Sequence, residues 1–580
     1  MHTTKIVCTL GPASESHETI AALADAGMSL ARFNASHGST DGRAALIERV
    51  RDVDTTSERS IATLLDLPGP EIRTAPLDEP IELATGSRVR FVVGETATPD
   101  EIGLSTPIGA VESGDRVLLD DGRIETTVEE NVEDVIHARI DSGGSLGGRA
   151  GVNVPGVDLG LDMPTDDDRR ELDLAADAVV DFVAASFIRN ADDVYAINEA
   201  LEARDVNIPV IAKIERRDAV ERLDEIIEAA DGVMVARGDL GVECPMEEVP
   251  LIQKRIIRRC HAAGVPVITA TEMLDSMTHS RRPTRAEATD VANAVFDGTD
   301  AVMLSGETAV GDHPVRVVEA MHNLVGEVEH SAEYTEEVEQ MVPKPGDSRT
   351  GVLARSARYL ARDIDATAVV AATESGYTAR KTAKYRPDVP VVAVTPDDRV
   401  RRQLGLVAGV IPRHAPLTGP GESADAVIRN AVQVALDAGV ANSGDTVVVL
   451  AGMMTDLEGA NTTNTLKVHV AAEILATGRS VVDGKVSGPL YRTADGDLTD
   501  LPDGAILSVP ADFDGEFGGD PARLGGIVSA YEGITGYPAI VARETGLPMI
   551  SNVLLANVAE SDRVTLDAGR GIVYEGTVGD

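Results

Sequence analysis

The chain has 580 residues, with 96 Asp and Glu against 52 Lys and Arg, a formal charge of −44, only eight lysines and no tryptophan. Such a surface repels phosphate backbones and anionic lipid, which argues against nucleic-acid or membrane-surface partners; the acid is spread along every segment rather than gathered in a disordered tail. There is no signal-peptide pattern or eighteen-residue apolar run, and Cys8, Cys244 and Cys260 form neither a disulfide framework nor a zinc spacing, so a soluble cytoplasmic protein of several domains is expected.

Short β-branched or apolar runs recur at Lys5–Leu10, Ser29–Phe33, Ile61–Leu65, Val179–Ala185, Pro209–Ile214, Gly232–Ala236, Val265–Ala270 and Ala301–Leu304. Amphipathic, helix-length segments such as Glu18–Ala26, Asp192–Ala203 and Arg217–Ala230 lie between most of them. Eight strands alternating with helices predict an α/β fold, a (β/α)8 barrel, with its site at the carboxyl ends of the strands. The polar residues just past those runs are Asn34 and Ser36, Asp66, Ser186, Lys213 and Glu215, Asp239, Thr271, then Ser305 and Glu307. One ammonium, Lys213, beside two carboxylates, Glu215 and Asp239, suits a divalent metal and a phosphoryl group: hard oxygens take Mg²⁺ and a lysine holds the transferring phosphate. The same trio could form a structural salt bridge; its place at strand ends favours the site.

Between Arg73 and Gly156 the alternation stops. Strand-like pieces Ser87–Val93, Arg116–Leu119 and Val135–Ile140, with turn pairs Asp121-Gly122 and Gly143-Gly144, predict a small β-domain inserted after the third barrel strand, able to close over the mouth as a lid. Farther on, the acidic stretch Glu336–Ser348 reads as a linker. Helices at Ala354–Arg362, Ala379–Tyr385 and Ala424–Leu436 and strands at Ala366–Ala372, Val389–Val394 and Thr446–Ala451 then predict a separate α/β domain. Its turn Thr373–Thr378 offers Thr373, Ser375, Gly376 and Thr378 as donors to an anion, or Ser375 or Thr378 as a helix cap; Glu374 opposes a tight phosphate site. The expected division is 1–73 with 156–335 for the barrel, 74–155 for the lid, 336–477 for a regulatory domain and 478–580 for an extra mobile domain.

Ordered stretches carry a resemblance: Lys5–Ser14, Ala31-Arg32-Phe33-Asn34-Ala35-Ser36-His37-Gly38, Gly69-Pro70-Glu71-Ile72-Arg73, Lys213-Ile214-Glu215, Val235–Gly241, and Thr269–Asp312 with Arg282-Pro283-Thr284-Arg285-Ala286-Glu287 and Met303-Leu304-Ser305-Gly306-Glu307-Thr308. Over roughly the first four-fifths of its length the chain resembles the pyruvate kinase family, and several motifs in order are far more specific than one. The resemblance implies phosphoryl transfer from phosphoenolpyruvate to ADP, giving pyruvate and ATP, at the last step of glycolysis, with Mg²⁺ (or Mn²⁺) and K⁺ as cofactors. It implies that Arg32, Ser186 and Lys213 bind the phosphoryl group and that Glu215 and Asp239 hold Mg²⁺. Thr271 and the backbone of Gly238 and Asp239 would take the carboxylate. Asn34, Ser36, Asp66 and the Leu67 carbonyl would hold K⁺, with Glu71 the family's mark of K⁺ dependence. Arg73, His37 and Asn34 would face the nucleotide, His37 being equally readable as a hydrogen-bonded loop histidine. Lys213 would stabilise the transition state, and Thr271 or a water would pass the proton. The 373–378 turn resembles the family's effector loop, for a sugar phosphate or nucleotide, and a homotetramer is implied.

Departures accompany the matches. Leu67-Pro68 replaces Thr-Lys of the family, Ala150 stands where a lysine precedes Gly-Val-Asn, and Glu272 replaces a common glutamine. The last hundred residues resemble the swivelling phosphohistidine domain of phosphoenolpyruvate-utilising enzymes, but Tyr537 takes the histidine's place and no histidine follows His469. That module is therefore expected to be structural or regulatory. The acid excess resembles that of salt-accumulating halophiles, whose K⁺-rich cytoplasm would fill a potassium site. Three readings compete: an active kinase, a phosphotransferase using the last module, and a non-catalytic metabolite sensor.

Overall fold

The computed structural model describes residues 3–346, 348–417, 424–452, 463–556 and 558–578, which fall into two compact units. In the first, which comprises residues 1–346, 379–386 and 397–414, eight strands close into a parallel barrel with each strand beside its sequence neighbour. They are Lys5–Thr9, Leu30–Asn34, Ala62–Asp66, Phe182–Ala185, Val210–Ile214, Gly232–Ala236, Val267–Ala270 and Ala301–Leu304. The eight expected runs are thus all strands. Arg217–Ala230 is two helices rather than one, Arg217–Glu221 and Leu223–Ala229, interrupted at Arg222.

Side chains on a strand alternate between its two faces, and this alternation builds the site. Val7, Leu30, Leu64, Ala184 and Ile211 belong to the apolar cluster that fills the barrel, while Cys8, Ala31, Leu65, Ala185 and Ala212 pack outward under the helices. Two residues beyond each inward residue come Thr9, Arg32, Asp66, Ser186 and Lys213, so the same period that fills the barrel puts these polar groups at its mouth. Leu406, from the segment 397–414, joins the interior cluster. That segment is pinned to the barrel wall by Arg402 on Asp181 at 3.0 Å and by Arg401 on Asp54.

The insertion is an antiparallel-rich sheet of eight strands with a small two-stranded partner, around a core that includes Val89, Phe91, Val117, Leu119, Ile136 and Ile140. It leaves the barrel through Ile72–Arg73 and returns through Gly151–Asn153, which pair with each other. The expected linker Glu336–Ser348 is corrected in its first half: helix Ala332–Met341 runs through it, capped by the Ser331 side chain. The reason is amphipathic, for Val338 is buried among acidic neighbours that face solvent.

The second unit holds residues 347–378, 387–396 and 415–580. Parallel strands Val391–Thr395, Ala368–Ala372 and Asp445–Ala451 are joined by Thr465–Ala471, antiparallel to the last. A further eight-stranded mixed sheet with helix Tyr537–Thr545 covers the chain from Ile474 onward. The two sheets meet where the Ser443 hydroxyl donates to the Glu575 carbonyl at 3.4 Å. Next to it, Gly444 has a φ of 101°, and a Cβ there would lie 2.0 Å from the Thr577 carbonyl oxygen, so only glycine fits.

Candidate active site

Lys213 is the hub. Its ammonium donates to the Ser186 hydroxyl at 2.8 Å and pairs with Glu215 at 2.8 Å and Asp66 at 3.4 Å. Burial opposes the charge, but Asp66 and Glu215 outweigh it and hold the lysine well above its ordinary range. Asp66 is itself fully buried, yet Lys213 and Arg32 keep its carboxyl below the usual carboxylate range. Arg32 reaches it with Nε at 2.7 Å and Nη2 at 2.6 Å, and Nη1 donates to Thr9 at 2.9 Å. Ser186 donates to the Leu67 carbonyl at 2.7 Å. Leucine's side chain is buried and only its carbonyl faces this network, which explains how residue 67 tolerates the exchange. Gly69, at a φ of 69°, lies so close to Ser186 that a Cβ would come within 2.9 Å of it.

Glu215 and Asp239 are the two carboxylates without enough cation. Burial raises the Glu215 carboxyl to about 7 despite Lys213, and burial with Asp121 and Glu71 raises Asp239. Glu215 accepts the Phe187 amide at 2.6 Å. Two desolvated carboxylates facing one mouth are a hard-oxygen donor set that fits Mg²⁺. Among the described residues no three His, Cys, Asp or Glu side chains converge to hold a metal unaided, so a bound ligand would have to supply further oxygens.

On the opposite rim, the Gly238 amide donates to the Thr271 hydroxyl at 3.1 Å. Thr271 and Glu272 both have left-handed backbone, φ 72° and 53°, a conformation costing a β-branched residue about 1–3 kcal/mol. Arg237 imposes it, donating to the carbonyls of Ala270 at 3.1 Å and Thr271 at 2.6 Å while paired with Asp290 at 2.6 Å. Sequence reasoning missed this arginine as a support for Thr271, although a charge directly after the buried strand Gly232–Ala236 was the available signal. Glu272 is exposed beside it.

Asn34 and His37 lie 3.3 Å apart, and the Ser36 amide donates to Asn34 Oδ1 at 3.0 Å. His37 is exposed. Arg73 sits at the lid junction, paired with Glu71 at 2.6 Å and donating to the Arg149 carbonyl at 3.0 Å. Ala150 is buried between two bonds with Thr74, so a lysine would have to leave that core edge to reach solvent.

Two quoted motifs turn out to brace loops. Thr284 and Glu287 form a capping box, and Glu287 also accepts from Ser276. Glu307 accepts the amides of Leu274 at 3.1 Å and Ser305 at 2.6 Å, tying the last two strand ends together. In the second unit, the Thr378 hydroxyl lies 2.9 Å from that of Thr463, Thr373 is buried and Gly376 has a φ of 76°. Tyr537 opens its helix with its ring against Phe517 at 5.4 Å and its hydroxyl accepting the Phe517 amide, so it serves packing.

A closed parallel barrel whose strand ends gather two cations and a set of buried carboxylates is a (β/α)8 protein with its charged groups at the face where such barrels carry their sites. Residues 1–318 match the family model for the pyruvate kinase barrel domain, 352–469 that for the pyruvate kinase alpha/beta domain, and 501–571 that for the mobile domain of PEP-utilising enzymes. Pyruvate kinases of Bacillus licheniformis and Geobacillus stearothermophilus are 41% and 42% identical over 587 and 585 residues, with 99% of this chain covered in each case and 99% and 98% of theirs. That of Staphylococcus aureus strain MRSA252 is 41% identical over 592 residues, with 99% of both chains covered. The chain belongs to the pyruvate kinase family. No helix among the described residues is long and apolar enough to cross a membrane.

Proposed function

We propose that the protein is an active pyruvate kinase, transferring the phosphoryl group of phosphoenolpyruvate to ADP with Mg²⁺ and K⁺ as cofactors, as the last step of glycolysis. The observation that carries this is the Lys213 network: an ammonium held charged at a barrel mouth, bonded at once to Ser186 and Glu215 and backed by Arg32 through Asp66. A non-catalytic sensor would not need that charge to be so strongly maintained. The experiment is ATP formation from phosphoenolpyruvate and ADP in KCl, repeated at equal ionic strength with tetramethylammonium chloride. Activity confined to the KCl arm is expected; none in either arm rejects the proposal, and equal activity in both rejects the K⁺ site.

In this reading Arg32, Ser186 and Lys213 seat the phosphoryl group, and Gly238, Asp239 and Thr271 receive the substrate carboxylate. Glu215 and Asp239 would hold Mg²⁺, which when bound neutralises charge on the transferring phosphoryl and the enol oxygen. Asn34, Ser36, Asp66 and the Leu67 carbonyl would hold K⁺, and Arg73, His37 and Asn34 would face ADP. The bond from phosphorus to the enol oxygen breaks as one forms to a terminal oxygen of ADP, and Lys213 stabilises the enolate left behind. A proton then goes to the methylene carbon. Thr271 accepts from Gly238, so its own hydroxyl hydrogen is available to that path, directly or through water.

The four-part division at 73/74, 155/156, 335/336 and 477/478 is part of this reading, with 74–155 as lid and 336–477 as regulatory. Thr373, Ser375, Gly376 and Thr378 are its candidate effector-phosphate loop. A homotetramer in a salt-rich, K⁺-rich cytoplasm completes it, supported by the family and the acid excess.

A further inference from the structure

Phe187 has a φ of 57°, in the left-handed region that a bulky side chain avoids. It lies just past the fourth barrel strand, Phe182–Ala185, and the residues on either side of it are pinned. The Ser186 hydroxyl is held between Lys213 at 2.8 Å and the Leu67 carbonyl at 2.7 Å, and Ile188 is wholly buried in the core beneath the helices. The chain has one residue in which to turn from the mouth into that core, and the turn falls on Phe187. Its ring fills the room that Gly69 leaves: a Cβ on Gly69 would lie 3.1 Å from Phe187 Cδ2 and 2.9 Å from Ser186 Cβ. Gly69 is anchored in turn, its amide donating at 2.9 Å to the buried Asp168, which also closes the capping box of helix Asp166–Asp177.

The left-handed turn sends the Phe187 amide to Glu215 Oε2 at 2.6 Å, the short distance of a charge-assisted bond. Oε1 of the same carboxylate is taken by Lys213 at 2.8 Å. Held at both oxygens, the carboxylate is fixed in one rotation, and each oxygen keeps a further lone pair for a metal. An extended or right-handed backbone at residue 187 would point the amide elsewhere and leave Oε2 free to swing.

We propose that Phe187 is a positioning residue for Glu215: its ring, seated against Gly69, holds the strained backbone that keeps the amide on Oε2, so the carboxylate is already oriented when a divalent cation arrives. This rests on the reading of Glu215 and Asp239 as the Mg²⁺ pair. Hydrogen bonds to a ligating carboxylate set how well it binds, and losing one costs about tenfold or more in metal affinity. The bond here comes from the backbone, so the side chain acts only by holding a conformation. That makes the role separable from packing.

The test is the order of three variants, Phe187→Ala, Phe187→Gly and Phe187→Asn, read by electron paramagnetic resonance titration of substrate-free protein with Mn²⁺, water completing the shell of the ion. All three remove the ring. Glycine and asparagine accept the left-handed region, and alanine does so at a cost. Phe187→Ala is expected to bind Mn²⁺ about tenfold more weakly than wild type. Phe187→Gly and Phe187→Asn should stay within about threefold, although the glycine variant melts lowest. In steady state the Ala variant should need more Mg²⁺ for half-maximal rate and recover its kcat once Mg²⁺ saturates. Equal or greater weakening in the Gly and Asn variants would make the ring a wall of the site and overturn the proposal, as would unchanged Mn²⁺ affinity in Phe187→Ala whatever its melting temperature. Glu215→Gln is the control: Mn²⁺ affinity indifferent to it would place the metal elsewhere and refute the role of Phe187 with it. Wild-type protein that binds Mn²⁺ through Glu215 yet forms no ATP would refute the pyruvate kinase reading alone, and the order of the variants would still decide the role of Phe187.

Discussion

At the scale of single residues the site is a contest between burial and charge. Lys213 and Asp66 each hold the other ionised, with Arg32 adding to the hold on Asp66, whereas Glu215 and Asp239 are left short of positive charge. Lys213→Met should therefore cut kcat by about two to three powers of ten, the scale of losing one strong preorganised donor to developing charge. Steady-state turnover with the fold verified by circular dichroism checks this, and near-normal turnover would take Lys213 out of the mechanism. Glu215→Gln and Asp239→Asn each remove one anionic oxygen, so both should raise the Mg²⁺ or Mn²⁺ concentration needed for half-maximal rate. A wild-type metal titration curve in both variants would place the metal elsewhere.

Among the elements, the strands do two tasks with one alternation. Their inward apolar residues fill the barrel, and the next inward position of the first five strands supplies Thr9, Arg32, Asp66, Ser186 and Lys213. At the opposite end, the first strand opens with Lys5, whose ammonium donates to the Val410 carbonyl at 2.7 Å. Burial lowers its pKa from 10.5 to about 8, with Glu329 offsetting only part of the effect. The sign follows from linkage: between about 8 and 10.5 the unfolded chain holds this proton and the folded chain does not, so this group makes stability rise with pH across that window. Lys5→Met removes the contribution. Denaturant titrations at pH 7.5 and 9.5 should show wild type gaining relative to the variant at the higher pH; a constant difference would contradict the assignment.

Across the whole molecule, the C-terminal module, which the alignments to the relatives also span, has a tyrosine where a phosphohistidine carrier needs its imidazole. Tyr537 is packed on Phe517, and a phenol with a reference pKa near 10 is a poor phosphoryl acceptor without an activating base. A chain ending at residue 477 should therefore retain transfer from phosphoenolpyruvate to ADP within a few-fold, while melting earlier because the contacts of Ser443 and Gly444 with 575–577 are gone. Full-length protein incubated with labelled phosphoenolpyruvate should carry no acid-labile phosphate. A folded truncation without turnover, or label within 478–580, would return the module to the chemistry.

The barrel, the β-sheet inserted into it and the polar residues at the strand ends were legible in the sequence because they rest on local rules. Strand runs alternate with amphipathic segments, and the residue just past a buried run must lie at a barrel mouth. The charge excess needed only counting. What the sequence left undecided depended on distance between segments far apart in the chain. Whether Lys213 was buried or paired at the surface was decided by Asp66 and Ser186, which lie 147 and 27 positions away. The strained backbone of Thr271 comes from Arg237, just past the end of the neighbouring strand, and helix Ala332–Met341 exists because its buried valine found a surface to cover. Periodicity is a property of neighbours and can be read along the chain; desolvation is a property of everything that surrounds a group, and it exists only once the chain has folded.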